Sequence, residues 1–224
     1  MAPRHETHNP FSTRFVRPGA IRYRFAETVS ESVREGATDS DGPEESDRLR
    51  HWKSILDQLR ANGWWGQIVG PHGTGKSTLL SELLVYFDHE EIVTAHFELH
   101  DGQRRFPYPL DHLARKEPVP HLIIIDGYEQ LGFWSRRRVV RWCRRHSVGL
   151  LITTHKSFDL PTLFETHASL ELAKSLVYRH LESLDCAVEI APEEIEARFD
   201  SCGGNVRELF FSLYDLIEQK RRQS

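Results

Sequence analysis

The chain has 224 residues, with 29 Lys and Arg against 33 Asp and Glu, a formal net charge of −4 and 39% hydrophobic content. That balance excludes a globally basic nucleic-acid binder and suits one α/β domain with an appendage. No apolar run exceeds strand length and the start lacks an apolar leader, so neither secretion nor a membrane span is expected.

Residues 11–25 set Arg14, Arg17, Arg22 and Arg24 among Phe11, Phe15, Ile21, Tyr23 and Phe25, and the last stretch alternates as a half-buried strand does. This predicts an ordered arm, either an edge strand with a solvated arginine face or a strap across a nucleotide base. From Glu27 to Asp47, eight acids stand against the single Arg34 with almost nothing apolar, the composition of a flexible acidic linker. Residues 1–47 are therefore set apart as arm and linker. Leu49, Trp52, Leu56 and Leu59 then mark an amphipathic helix, entered from Ser46 or Asp47 and stopped at Asn62-Gly63.

Residues 66–69 read as a short strand. The next residues, Gly70-Pro71-His72-Gly73-Thr74-Gly75-Lys76-Ser77-Thr78, fit the phosphate-binding pattern G-x-x-x-x-G-K-[ST]. Leu79, Leu80, Leu83, Leu84 and Phe87 follow at helical spacing, which puts the motif between a strand and a helix, as its chemistry requires. Glycines let the loop curl until its N–H groups face inward at phosphate oxygens. Lys76 adds positive charge toward the outer phosphates, the Ser77 hydroxyl can ligate Mg²⁺, and the helix presents its positive dipole end. ATP and Mg²⁺ are the expected cofactors.

Val93, Ala95, Phe97 and Leu99 alternate in a second strand that ends at the Asp101-Gly102 turn. Residues 122–126 are apolar up to the last, as in a strand covered on both faces, and that last residue, Asp126, is placed to hold Mg²⁺ beside the phosphates. A helix from about Tyr128 to His146 puts Arg136, Arg137, Arg138, Arg141, Arg144 and Arg145 on one broad face and Val139, Val140, Trp142 and Cys143 on the other. That local basic patch suits nucleic-acid phosphates, an acidic partner or plain solvent.

Residues 149–155 form a fourth buried strand whose polar end, Thr153-Thr154-His155, lies at the same sheet edge as Asp126. Residues 159–163 are expected as a turn and short helix, and 168–172 as a fifth strand. Helical patterns follow through Leu176, Val177, Leu181 and Leu184, through 192–199, and from Asn205, which forms a capping-box-like pair with Glu208. Cys143, Cys186 and Cys202 stand far apart with no C-x-x-C spacing, so a zinc site and a disulfide framework are unexpected and a reduced cytoplasmic setting is the simplest.

Together the P-loop, the Asp126 strand, the Thr153-Thr154 strand and the Gly203-Gly204-Asn205-Val206-Arg207-Glu208-Leu209 helix start resemble an AAA+-type P-loop ATPase of the origin-recognition, transposition-helper and STAND branch, over about Trp52 to Lys220. The complete strand between the P-loop helix and the Asp126 strand is similar to the order in ATPases with an additional strand and a catalytic glutamate. The resemblance implies a three-layer α/β sandwich with a mainly parallel sheet of about five strands, an ATPase core at 48–171 and a small helical lid at 172–224. It implies that Glu129 orients or deprotonates the attacking water, although relatives more often put that glutamate directly after the aspartate, where this chain has Gly127. Thr153 or Thr154, with Thr154 preferred, is implied as the γ-phosphate sensor, and Arg207 as a second sensor reaching from the lid. His155 resembles the switch histidine of ABC ATPases. From His155 to Gly203 the only arginines are Arg179 and Arg198, both in helical stretches, so the arginine finger of ring-forming members has no match. The function implied is a Mg-ATP-dependent switch or helper for an unknown protein partner, hydrolysing slowly when alone. The alternatives are a small-molecule P-loop kinase and a nucleotide-responsive interaction module with negligible turnover.

Overall fold

The computed structural model describes Phe11, residues 43–183 and residues 189–223. The expected arm strand and most of the acidic linker lie outside the described residues. The described chain runs α1 (Pro43–Ala61), β1 (Trp65–Val69), α2 (Lys76–His89), β2 (Thr94–Glu98), α3 (Leu110–Leu113), β3 (Leu122–Asp126), a 3₁₀ turn (Tyr128–Gln130), α4 (Phe133–His146), β4 (Gly149–Thr154), β5 (Thr162–Glu165), α5 (Leu170–Ser183), α6 (Pro192–Ser201) and α7 (Val206–Gln223). Its residues fall into two compact units. One takes Phe11, 70–81 and everything from Thr166 onward, and the other takes 43–69 and 82–165.

All five strands belong to one parallel sheet in the second unit, ordered β2-β3-β4-β1-β5. β4 thus lies between the P-loop strand β1 and the Asp126 strand β3. Because every pairing is parallel, the C-terminal ends of the strands share one edge. A five-stranded parallel sheet with helices packed on it gives the α/β class expected from the sequence. Ile123 and Ile125 of β3 and Leu150 and Ile152 of β4 are buried with Leu110, Leu113, Val139, Trp142 and Cys143 of α3 and α4. Alternation along the strands turns Leu122, Ile124 and Leu151 to the opposite face, where they too are fully buried. Each such side chain contributes about 1.5–3 kcal/mol on leaving water, which is why these strands read as continuous apolar runs.

Several local expectations are corrected. α1 starts at Pro43, ahead of Ser46 and Asp47, because proline's fixed φ suits the first turn of a helix. The helix expected from Tyr128 is broken into a 3₁₀ turn and α4, since the Gly132 amide donates to the Arg104 carbonyl at 2.9 Å and not into a helix. The fifth strand is Thr162–Glu165, where a turn and short helix were expected, and α5 already begins at Leu170, inside the strand expected at 168–172. Gln67 explains the first change. Its buried side chain accepts from the Phe158 amide and donates toward the Leu160 carbonyl and Ser157 hydroxyl, at 2.8–2.9 Å, which lays this segment extended along β1. Ser169 explains the second, because its Oγ accepts from the Leu172 amide at 3.1 Å and caps the start of α5.

In the first unit, α5, α6 and α7 enclose their own core of Ala173, Val177, Ile195, Phe199, Leu209, Leu213 and Ile217. Phe11 is buried among them, its ring edge-on to Phe210 at a centroid distance of 5.2 Å. Among the described residues no helix is long and apolar enough to cross a membrane.

Candidate nucleotide site

Gly70 follows directly on Val69, the last residue of β1. The loop it opens turns through Gly73 and Gly75, whose φ angles of 71° and 90° L side chains rarely adopt. Lys76 is the first residue of α2 and only 7% exposed. Its Nζ donates to the carbonyls of Gly70 and Pro71, each at 2.6 Å. A buried ammonium must find acceptors, and these two carbonyls of its own loop supply them. The Thr74 hydroxyl donates to the same Pro71 carbonyl at 2.9 Å and lies 2.6 Å from the Thr166 hydroxyl. On the far side of the loop a Cβ on Gly73 would strike the Asn205 side chain. Asn205 is itself the cap of α7, accepting from the Arg207 amide at 3.0 Å and the Glu208 amide at 3.3 Å. Ser77 and Thr78 lie in the first turn of α2, whose leading N–H groups have no partners within the helix.

The second unit carries the two carboxylates singled out in the sequence, Asp126 and Glu129. Asp126 ends β3 as a buried carboxylate and accepts a hydrogen bond from the Thr153 hydroxyl of β4. The same hydroxyl oxygen accepts from the Gly127 amide at 3.0 Å. Thr154 is also fully buried but serves the exit from β4, donating to the Lys156 carbonyl at 2.8 Å. Gly127 explains why no glutamate follows Asp126 directly. It sits at φ 79°, and a Cβ there would press on the Leu99 carbonyl at 2.9 Å.

Glu129, on the 3₁₀ turn, pairs through Oε1 with His155 Nε2 at 2.8 Å. Its Oε2 is buried without a hydrogen-bond partner. Arg136 closes over this turn, donating to the Glu129 carbonyl at 2.7 Å and lying 4.7 Å above the Phe158 ring. Beside it, burial pushes the Tyr128 phenol up to about 12, with Arg136 pulling the other way, so the ring stays neutral.

No family model matches this chain, and no curated protein does. Among solved structures it is similar to a DNA replication initiation factor, at 12% identity and a TM-score of 0.49 over 80% of this chain and 65% of that one. It is also similar to DnaA from Aquifex aeolicus bound to AMPPCP, at 14% identity and 0.47 over 78% and 61%. A replication initiator DnaA bound to AMPPCP and single-stranded DNA matches at 12% identity and 0.48 over 79% and 65%. The chain spans under two thirds of the length of each, and likeness at this identity concerns the course of the chain only.

Of the residues singled out in the sequence, Gly70, Gly73, Thr74, Lys76 and Asn205 come together in the first unit, and Asp126, Thr153, Glu129 and His155 in the second. Arg207 is exposed at the second residue of α7. The six-arginine face is corrected to five: Arg137, Arg138, Arg141, Arg144 and Arg145 are exposed, while Arg136 turns inward onto Glu129 and Phe158. Beside the five stand Phe133 and Trp134, 60% and 79% exposed, which the arginine pattern had overshadowed. Thr166 had no signal at all, because its partner Thr74 is 92 positions away.

Proposed function

We propose that the chain is a Mg-ATP-binding ATPase of the AAA+ kind, in the origin-recognition and transposition-helper branch, that acts as a nucleotide-dependent switch toward a protein partner in the cytoplasm. The observation that carries this reading is the buried Lys76 ammonium, held by two carbonyls of a loop whose Gly73 and Gly75 take left-handed φ angles. Such a lysine exchanges carbonyls for phosphate oxygens with little change in its solvation. Magnesium is the ion proposed, because the Ser77 hydroxyl and the Asp126 carboxylate are each hard oxygen donors of the kind it takes. Bound there, the ion would offset charge on the outer phosphates. Thr153 holds the Asp126 carboxylate in place through its hydroxyl. In this reading 48–171 is the catalytic core and 172–224 the lid that carries Arg207.

Glu129 is the group that orients or deprotonates water, and Thr154 or Thr153 reads the γ-phosphate. The Glu129–His155 pair at 2.8 Å engages the base and agrees with slow hydrolysis by the chain alone. Nucleic acid is the partner surface that α4 suits: five exposed arginines supply charge for phosphates, and Phe133 and Trp134 supply faces for unstacked bases. The decisive experiment is titration of a fluorescent ATP analogue with Mg²⁺ into the parent and Lys76→Ala, followed by phosphate release alone, with DNA and with RNA. Tight binding lost in Lys76→Ala supports the reading, and equal binding by both proteins sinks it. Phosphate transfer to an added small molecule in place of water would favour the kinase alternative.

A further inference from the structure

We propose that Thr166 and Asn205 are positioning residues that hold the P-loop in its binding shape from the helical part of the same unit, so that the loop and helices α5 and α7 respond to nucleotide together. The inference rests on the P-loop's taking nucleotide phosphates. It is carried by a hydrogen-bond chain whose direction can be worked out. Each threonine hydroxyl has one hydrogen. Thr74 spends its own on the Pro71 carbonyl, so the hydrogen between Thr74 and Thr166 must come from Thr166. The order is therefore Thr166 to Thr74 to the Pro71 carbonyl, and Lys76 Nζ donates to that same carbonyl.

Thr166 is fully buried four residues before α5, and a Cβ on Gly70 would collide with both its hydroxyl and its carbonyl. Asn205 meets the loop at Gly73 in the same way. Two of the motif's glycines are thus sites where residues beside the helices of the same unit approach too closely for any side chain. When Lys76 turns from the Pro71 carbonyl to a phosphate, the Thr166–Thr74 chain is what still holds that carbonyl. A shift of the loop at Gly73 moves Asn205, whose Oδ1 caps α7.

The test uses the full chain, with affinity for a Mg-ATP analogue and melting temperature measured side by side. Thr166→Val removes the donor and should lower affinity about fivefold, the worth of one buried hydrogen bond, while Thr166→Ser restores it. Asn205→Asp keeps the size and is an equally good helix cap, so melting should hold. Its charge faces the loop, so affinity should fall about tenfold and the loss should shrink as salt rises. Parent-like affinity in both Thr166→Val and Asn205→Asp, with the parent binding well, overturns this inference and leaves the ATP reading intact. A parent that binds no Mg-ATP overturns both. If Thr166→Val proves unstable, Asn205→Asp alone decides: unchanged affinity at low salt counts against the proposal.

Discussion

Replacing Thr153 with valine keeps the shape of a fully buried side chain and deletes one hydroxyl that serves two partners. The Asp126 carboxylate loses a donor, and the Gly127 amide loses its acceptor at 3.0 Å. A hydrogen bond to a charged group contributes about 1.5–3 kcal/mol, and stranding a half-buried amide costs about 1 kcal/mol more, so the total is about 3 kcal/mol. For a chain of this size that lowers the melting temperature by roughly 6–12 °C. Thr154→Val is the matched control, because its hydroxyl bonds only to the exposed turn at Lys156, where water takes over. Its cost is about 1 kcal/mol, or roughly 3 °C. Thermal melts of the three proteins without nucleotide give the comparison. An equal or larger effect for Thr154→Val would refute the claim that Thr153 is the residue coupled to Asp126.

Glu129→Gln should keep affinity for Mg-ATP and slow single-turnover hydrolysis, since the amide preserves shape while losing the base; an unchanged rate assigns that role elsewhere. Replacing Arg137, Arg141 and Arg144 together by Ala should weaken nucleic-acid binding and flatten the slope of log affinity against log salt by about two for single strands and about three for duplex, because each lost phosphate contact releases no counterion. Adding Trp134→Ala should weaken single-stranded more than double-stranded binding. Fluorescence anisotropy across a salt series checks both, and parent-like binding by the triple variant leaves α4 a solvated face.

The glycine loop between β1 and α2 was legible because its conformation is local: glycines at fixed spacing between an apolar strand and a helix state their own turn. Strands β3 and β4 were legible for a related reason, since burial on both faces demands uninterrupted apolar residues, and β2 was legible from its alternation. The fifth was not. Residues 162–165 lie at the sheet's edge, with Thr162 and Glu165 exposed, and take strand form through Gln67, roughly ninety-five positions earlier. Gln67 reads in the sequence only as a polar residue in a strand.

What the sequence by itself determined is the glycine loop after β1, the class of the fold, the acid at the end of β3 and the cap at Asn205, all of which depend on neighbours within a few residues. Tertiary structure alone decided which threonine meets Asp126, that Arg136 leaves the arginine face for Glu129, that Glu129 pairs with His155, and that Thr166 reaches Thr74. These are hydrogen bonds and ion pairs between residues 7 to 92 positions apart. Such a contact depends on where two backbones are brought by packing, and two adjacent threonines on a buried strand point to opposite faces, so only the fold can say which one faces the carboxylate.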